Sequence, residues 1–518
     1  ILNLMVSEAK TTRFRPYQLK RLQKTMKPRK PMPLPQDDLF KVRLVDIVNP
    51  QHPLVEMKDI IDWPLLDQEL GHEFCATNGA SALPTRLMVG LMYLQHTFNL
   101  SDEAVVERWV ESPYWQYFCG EEFFQHKLPC HPTSLIKWRQ RIGEAGCEWL
   151  LGATIQAALA MKVITPTSLK RVVVDTTVQE KNIAFPTDSK LYNQMRLKLV
   201  SVARELGITL RQTYGKECRY LMPNIGRYGH AKQCKRMRKA VKKIKGCLGR
   251  VLGDLERQAK AQDKGLTDKQ EALLKQAWRL LEQKPKSKNK LYSLHAPEVG
   301  CLSKGKAHKR YEFGVKASIA TTAKEAFIIG ARSYPGNPYD GHTLYDQLQQ
   351  VHTVTDIKPE IGLVDRGYRG HGINDIKVII AGQKRGISNK EQRLLKRRNS
   401  VEPIIGHLKS DGKMRRSYLK GIKGDAMNVL LSACGQNLRK LLKWVSWPQI
   451  QKLFIRFSGR FFEELCGQRL SGPQVLVWEL GYSGSTLIFS EDMNQYILYI
   501  FYRPLLVLQD SIYKSCND

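Results

Sequence analysis

Three acidic residues stand where a chain can do chemistry with them. Val172-Val-Val-Asp175-Thr-Thr177 and Gly362-Leu-Val-Asp365-Arg-Gly-Tyr368 each run apolar residues straight into an aspartate. That is the pattern of a short buried strand that ends in an acid and then turns. Two adjacent strands of this kind deliver their carboxylates side by side from a rigid support, and Gly367 suits the sharp turn after the second. An Asp at a strand end also serves simply as a turn-former or helix cap. The third acid, Glu402, opens Arg398-Asn-Ser-Val-Glu402-Pro-Ile-Ile-Gly-His-Leu-Lys409. With Ser400 or Asn399 as N-cap, Pro403 falls in the first helical turn, where its missing N–H costs nothing. Glu402 and Lys409 are two turns apart, so both point the same way. Metal binding by the Glu and phosphate contact by the Lys is one use of that face; a surface salt bridge is the other. Three carboxylates at one spot suit hard divalent cations. A pair of such ions stabilises both the attacking and the leaving oxygen of a phosphodiester displacement.

The elements that must position these acids form an alternating pattern. Strand-like runs at 171–175, 312–319, 326–329, 361–365 and 376–380 lie among helix candidates at 342–350 and 400–418, which predicts an α/β domain. Before it, residues 37–168 read as helical, with Leu87, Met88, Leu91, Met92 and Leu94 in one apolar stripe. Ser101 with Asp102 and Glu103 marks a capped helix start. Another helix begins at Thr133 or Ser134 and carries Lys137, Arg139 and Arg141. These short helices suit either a helix-turn-helix that binds DNA or a helical cap whose charged face is merely solvated. Residues 1–36 form a basic arm and a Pro-rich linker. The acid-bearing domain is expected over 169–445, and residues 446–518 form a divergent tail.

Charge narrows the partner. The chain has 518 residues, 82 Lys and Arg against 49 Asp and Glu, a net charge of +33, and a hydrophobic fraction of 42% that suffices for real cores. Such an excess favours a polyanion, because each cation placed on a phosphate releases condensed counterions. No membrane anchor is expected: the apolar run at 496–502 is interrupted by Arg503-Pro504 well short of a spanning helix. No secretory leader is read either. The 11 cysteines include no C-x-x-C pair, which suits reduced thiols in a cytosolic protein. Cys218, His230 and Cys234 are too poorly spaced for zinc. The densest charge lies in a helical insertion at 188–290. Residues 190–290 carry 27 Lys and Arg against 8 Asp and Glu, a net +19. Lys235, Arg236, Arg238 and Lys239 are the core of its densest run. A solvated face normally mixes signs, so nucleic-acid contact is the expectation here.

Taken together, Asp-Thr-Thr at 175–177, Asp-x-Gly-Tyr at 365–368 and Arg-x3-Glu-x6-Lys at 398–409 resemble the DDE transposases of bacterial insertion sequences. The insertion-sequence-five family is the most similar. Tyr334-Pro-Gly-Asn-Pro-Tyr-Asp-Gly-His-Thr343 and Tyr311-Glu-Phe-Gly-Val-Lys316 resemble it too, and the likeness covers about 40–445. The resemblance implies an RNase H-like α/β catalytic domain, a mixed sheet flanked by helices, with a helical N-terminal domain and a basic helical insertion. It implies Asp175, Asp365 and Glu402 as metal ligands for two Mg²⁺ ions, with Mn²⁺ as a substitute, and Arg398 and Lys409 as helpers at DNA phosphates. The implied partners are double-stranded DNA, both element ends and target, and a second copy of the chain in a homodimer on that DNA. The implied place is the bacterial cytoplasm, at the nucleoid. Water would free a 3′-OH at the element end, and that hydroxyl would attack target DNA. Leu395 departs from the family signature, which often has Tyr three residues before the Arg. An RNase H-like nuclease and a catalytically idle DNA-binding protein are the alternatives.

Overall fold

The computed structural model describes residues 42–71, 74–75, 82–284, 287, 290–303 and 310–446, together with the backbone of several further elements. The basic arm and the Pro-rich linker lie outside the described residues, apart from a two-residue strand, β1 (Thr25–Met26), paired in parallel with β2 (Phe74–Cys75). The chain divides into two compact units, residues 1–446 and 447–518.

The first unit opens with helices α1 (Leu44–Ile47), α2 (Pro53–Ile60), α3 (Trp63–Gly71), α4 (Thr85–Thr97), α5 (Asp102–Glu111), α6 (Pro113–Cys119), α7 (Pro132–Ala160) and α8 (Pro166–Leu169). Ser101 does cap α5, its side chain accepting the Ala104 N–H. Helix α7 bends at Gly143, whose φ of 62° and ψ of −158° lie outside the helical region, a conformation cheap only without a Cβ.

A seven-stranded mixed sheet follows. Its strands are β3 (Arg171–Lys181), β4 (Gly300–Leu302), β5 (Glu312–Thr322), β6 (Ile328–Tyr334), β7 (Ile361–Val364), β8 (Lys377–Ile380) and β9 (Arg416–Ser417). The order β4-β5-β3-β7-β8 is completed by β6 on β5 and β9 on β3. β5 runs antiparallel to β3, β4 and β6, whereas β3, β7 and β8 run parallel to one another. α13 (Asp340–Thr355) crosses from β6 to β7, and α14 (Asn389–Lys396), α15 (Val401–Ser410) and α16 (Gly421–Cys466) complete the order of helices.

Two local expectations are corrected. β3 does not end at Asp175 but runs on to Lys181, because β5 pairs with it as far as Glu180. The helix expected over 400–418 stops at Ser410, and Arg416–Ser417 turns back as β9 to pair with the far end of β3.

One hydrophobic core joins the N-terminal helices to the sheet. Met88, Leu91, Leu150 and Ile155 belong to the same buried cluster as Val172, Ile319, Phe327 and Leu430. Helix α16 is tied to the sheet by polar contacts as well. The Asn437 side chain accepts the Ile328 N–H and donates to its carbonyl, and buried Lys181 pairs with Asp425 at 2.8 Å and Glu298 at 3.2 Å. Between β3 and β4 the chain leaves this core for α9 (Asp188–Glu205), α10 (Gly215–His230), α11 (Cys234–Ala261) and α12 (Asp268–Glu282). These four helices close a core of their own, with Met195 and Leu199 against Ile244, Leu248, Leu252 and Leu280.

In the second unit the backbone continues α16 to Cys466, followed by the antiparallel strands β10 (Leu476–Leu480), β11 (Ser485–Asp492) and β12 (Gln495–Tyr502). The apolar run at 496–502 is therefore strand rather than helix. Val445 is the last member of this core among the described residues, and a chain ending at Ser446 is expected to unfold cooperatively. Its midpoint should lie within about 4 °C of the full chain's, a shift worth about 4 kcal/mol or less for a unit this size. A larger drop in calorimetry would make the tail part of the fold.

Candidate active site

The register of the sheet sets two of the acids level. β3 and β7 pair in parallel as Arg171↔Ile361, Val172↔Gly362 and Val173↔Leu363. The same offset, carried two residues further, puts Asp175 opposite Asp365. β7 ends at Val364, so Asp365 follows its carboxyl end, and Asp175 lies on β3 just past the last parallel pair, Val173↔Leu363, the side on which open α/β sheets bind ligands. Asp365 does cap a turn: its Oδ1 accepts the Gly367 N–H ahead of the 3₁₀ turn Arg366–Tyr368. Its Oδ2 lies 3.7 Å from Arg398 Nη1. Asp175 Oδ1 accepts the Thr176 N–H at 2.8 Å.

Glu402 arrives from the helix side. Val401, the residue before it, is fully buried in a small core with Val173 and Leu363. Those two residues precede Asp175 and Asp365 by two positions each. Side chains two apart on a strand share a face, so α15 packs on the sheet face that Asp175 occupies. Leu394 and Leu395 pack against the same core, which gives the Leu395 departure a packing reason. α14 continues into α15 through a 3₁₀ turn, Arg397–Ser400. Ser400 holds the N-cap position, but its side chain makes no capping bond.

Arg398 stands between two of the acids. Its Nη2 donates to Glu402 Oε1 at 2.7 Å, while Nη1 faces Asp365. Arg398 is mostly buried and Glu402 is exposed, so the guanidinium gathers the two carboxylates at the mouth of the sheet. Among the described residues no three Asp, Glu, His or Cys side chains converge closely enough to hold one ion as they stand. The donors nonetheless fit a hard divalent cation in kind, being carboxylate oxygens throughout. For Glu402 to join them, its carboxylate must share or leave Arg398. Lys409 is partly buried on the same helix.

The other expected cations divide. Lys235, Arg236, Arg238 and Lys239 are all exposed at the start of α11. Lys137 is exposed, and the Arg141 guanidinium lies over the Phe74 ring, 5.1 Å from its centroid. Arg139 is not a surface residue. It is 3% exposed and forked onto Asp102 and Gln95. Residues two apart on a helix do not share a face, so 137, 139 and 141 cannot line one DNA-facing edge, and Arg139 is withdrawn from that role. Cys218 is buried and Cys234 exposed, and all eight described cysteines assessed are free of disulfides.

Sequence reasoning missed a second polar layer. Asp340, at the start of α13, accepts from Lys316 Nζ at 2.8 Å and from Thr176 Oγ1 at 2.9 Å. Tyr368 is buried behind the Asp365 turn, and burial raises its pKa well above 10, aided by the charges of Asp175, Asp340 and Asp365. Asp340 and Lys316 both sit in segments the resemblance had singled out. Neither apolar periodicity nor spacing marks them as members of one site.

Comparison with known proteins bears on the class of the chain. A family model described as a transposase domain matches residues 42–141, and one described as a transposase DDE domain matches residues 374–442, which contain Arg398, Glu402 and Lys409. The chain is 50% identical over 198 residues to a protein of Rhizobium meliloti named "Uncharacterized protein ORF8 in nfe locus", covering 38% of this chain and 95% of that one. No solved structure matches the chain. The class defined is a DNA-processing enzyme with an acidic site on a mixed sheet flanked by helices. The two family models support a transposase of the DDE type. Its function is DNA transposition, and enzymes of this type work on DNA with divalent metal ions. Among the described residues no helix is long and apolar enough to cross a membrane.

Proposed function

We propose that this transposase binds the inverted-repeat ends of an insertion sequence of the insertion-sequence-five kind. On this reading it cuts the element's ends and joins them to target DNA, working as a homodimer in the bacterial cytoplasm. The sheet is read as RNase H-like. The observation that carries this reading is the shared core of Val173, Leu363 and Val401, which brings Asp175, Asp365 and Glu402 to one edge of the sheet. These three carboxylates would hold two Mg²⁺ ions, or Mn²⁺ in their place. When bound, such ions stabilise the charge that develops on the attacking and leaving oxygens of phosphodiester displacement.

The chain's own residues position the DNA. Arg398 can transfer from Glu402 to a phosphate oxygen, since a guanidinium binds phosphate and carboxylate with the same fork. Lys409, two turns along α15 from Glu402, approaches the same strand. Lys137 and Arg141 contribute from α7.

The experiment pairs an oligonucleotide carrying an element end with a plasmid target. Joined product supports transposition; cutting without joining would leave only a nuclease.

The insertion's role rests on charge. Its cationic run lies on the exposed face of α11, whose other face packs through Ala240, Ile244, Cys247 and Leu248. Replacing Lys235, Arg236, Arg238 and Lys239 with Ala should weaken DNA binding. The slope of log affinity against log salt should fall by up to about 0.9 for each phosphate no longer neutralised. An unchanged slope in a salt titration returns this face to simple solvation.

A further inference from the structure

Asp340 is held from one side only. Its Oδ1 takes bonds from Lys316 and from Thr176, the residue after Asp175. Its Oδ2 lies 3.3 Å from the point a Cβ on Gly367 would occupy, and Asp365 Oδ1 lies 3.5 Å from the same point. The two oxygens are therefore at most about 7 Å apart, a span that cations about 3.5–4 Å apart can bridge. A Cβ at 367 would press slightly on Asp340 Oδ2 and meet Asp365 Oδ1 in ordinary contact, so both carboxylates flank this turn.

A second observation points to a ligand at this place. Tyr368 is 1% exposed, and its hydroxyl has no hydrogen-bond partner among the described residues. The groups whose charges bear on it are first Asp175, then Asp340 and Asp365. A buried hydroxyl left unpaired costs about 1–3 kcal/mol. A hydration water of a cation held by those carboxylates is a strong donor, and its O–H would give the Tyr368 hydroxyl oxygen the partner it lacks.

We propose that Asp340 is a fourth carboxylate of the active site, closing with Asp175 and Asp365 around bound divalent cations while Lys316 and Thr176 fix its orientation. The proposal rests on the reading of Asp175 and Asp365 as metal ligands. Lys316 and Arg398 offset two of the four negative charges, and the cation meets the remainder.

The test is calorimetric titration of the full chain with Mn²⁺, in the absence of DNA. Asp340→Asn should weaken Mn²⁺ binding by at least about tenfold, with the metal-free melting midpoint within about 4 °C of wild type. If Asp340 were only a counterion for Lys316, the double variant Lys316→Met with Asp340→Asn would recover wild-type affinity. If Asp340 binds the cation, the double variant stays as weak as Asp340→Asn. Asp175→Asn is the control. Should it lose Mn²⁺ while Asp340→Asn binds within about twofold of wild type, Asp340 is no ligand and the three-acid site stands. Should Asp175→Asn bind normally, the metal-site reading itself fails. If Asp340→Asn does not melt cooperatively, the wild-type chain is loaded with Fe²⁺ and treated with ascorbate and peroxide. Backbone scission at 338–342 as well as near Asp175 and Asp365 supports the assignment, and scission near those two alone overturns it.

Discussion

Asp175→Asn, Asp365→Asn and Glu402→Gln are each expected to lower strand cleavage and strand transfer by at least about 10³-fold, with DNA affinity within about threefold of wild type. The size follows from what the charge does. Metal-borne stabilisation of a phosphoryl transition state is worth several kcal/mol, and each 1.4 kcal/mol is a factor of ten in rate. An amide keeps the shape of each side chain but not its negative charge, so the cation is lost while the fold remains. DNA affinity should survive because, on the proposed reading, lysines and arginines elsewhere supply it, above all those at the exposed start of α11. Two of these variants also strip Arg398 of a partner. That ion pair lies at the protein surface on the Glu402 side, where such pairs contribute about 0–1 kcal/mol, so melting should change little. Gel assays of cleavage and joining, beside a binding isotherm, read both halves. A Glu402→Gln protein that cuts at the wild-type rate with unchanged metal dependence would name the wrong third ligand.

Much of the site was legible because its parts are local. Asp175 and Asp365 each follow an apolar run that reads as a buried strand, with Val173 and Leu363 in those runs, and Glu402 follows Val401 at a marked helix start. What the sequence could not display was pairing. Nothing in Val172-Val-Val-Asp175 says that β5 continues beside it to Glu180, so the strand read as ending where its parallel neighbour ends. Asp340 and Lys316 escaped notice for a related reason. A lysine inside a strand and an aspartate at a helix start each look like surface residues until β3, β5 and α13 bring them within 2.8 Å of each other. The N-terminal helices showed their apolar stripe plainly. Sequence gives no hint, however, that the stripe packs into the same core as the sheet.

Arg139 illustrates the opposite error, a charge assigned to the surface that folding buries, and it carries a second large expected effect. Arg139→Ala should cost about 3–5 kcal/mol of stability, because removing one partner of a buried pair leaves the other charge uncompensated. The guanidinium donates to both oxygens of Asp102 and to Gln95 Oε1 at 3.1 Å, and its side chain is 3% exposed against 17% for Asp102. Burial alone would raise the Asp102 pKa, yet the bonds and charge of Arg139 outweigh it, with help from Gln95 and Lys413, and hold it below the ordinary 3.8. A carboxylate with a depressed folded-state pKa stabilises the fold above its unfolded pKa. That contribution is lost as pH falls through the folded value. The pair should therefore contribute fully at neutral pH and fade only below about pH 4. Denaturant titrations at pH 7 and pH 3 measure this: the gap between wild type and Arg139→Ala should be widest at pH 7 and narrow at pH 3. The double variant Arg139→Met with Asp102→Leu should regain much of the loss, since an apolar pair can replace a buried ion pair. The salt slope of DNA binding in Arg139→Ala should match wild type. A stable Arg139→Ala protein with a reduced salt slope would return Arg139 to the DNA interface and contradict its burial.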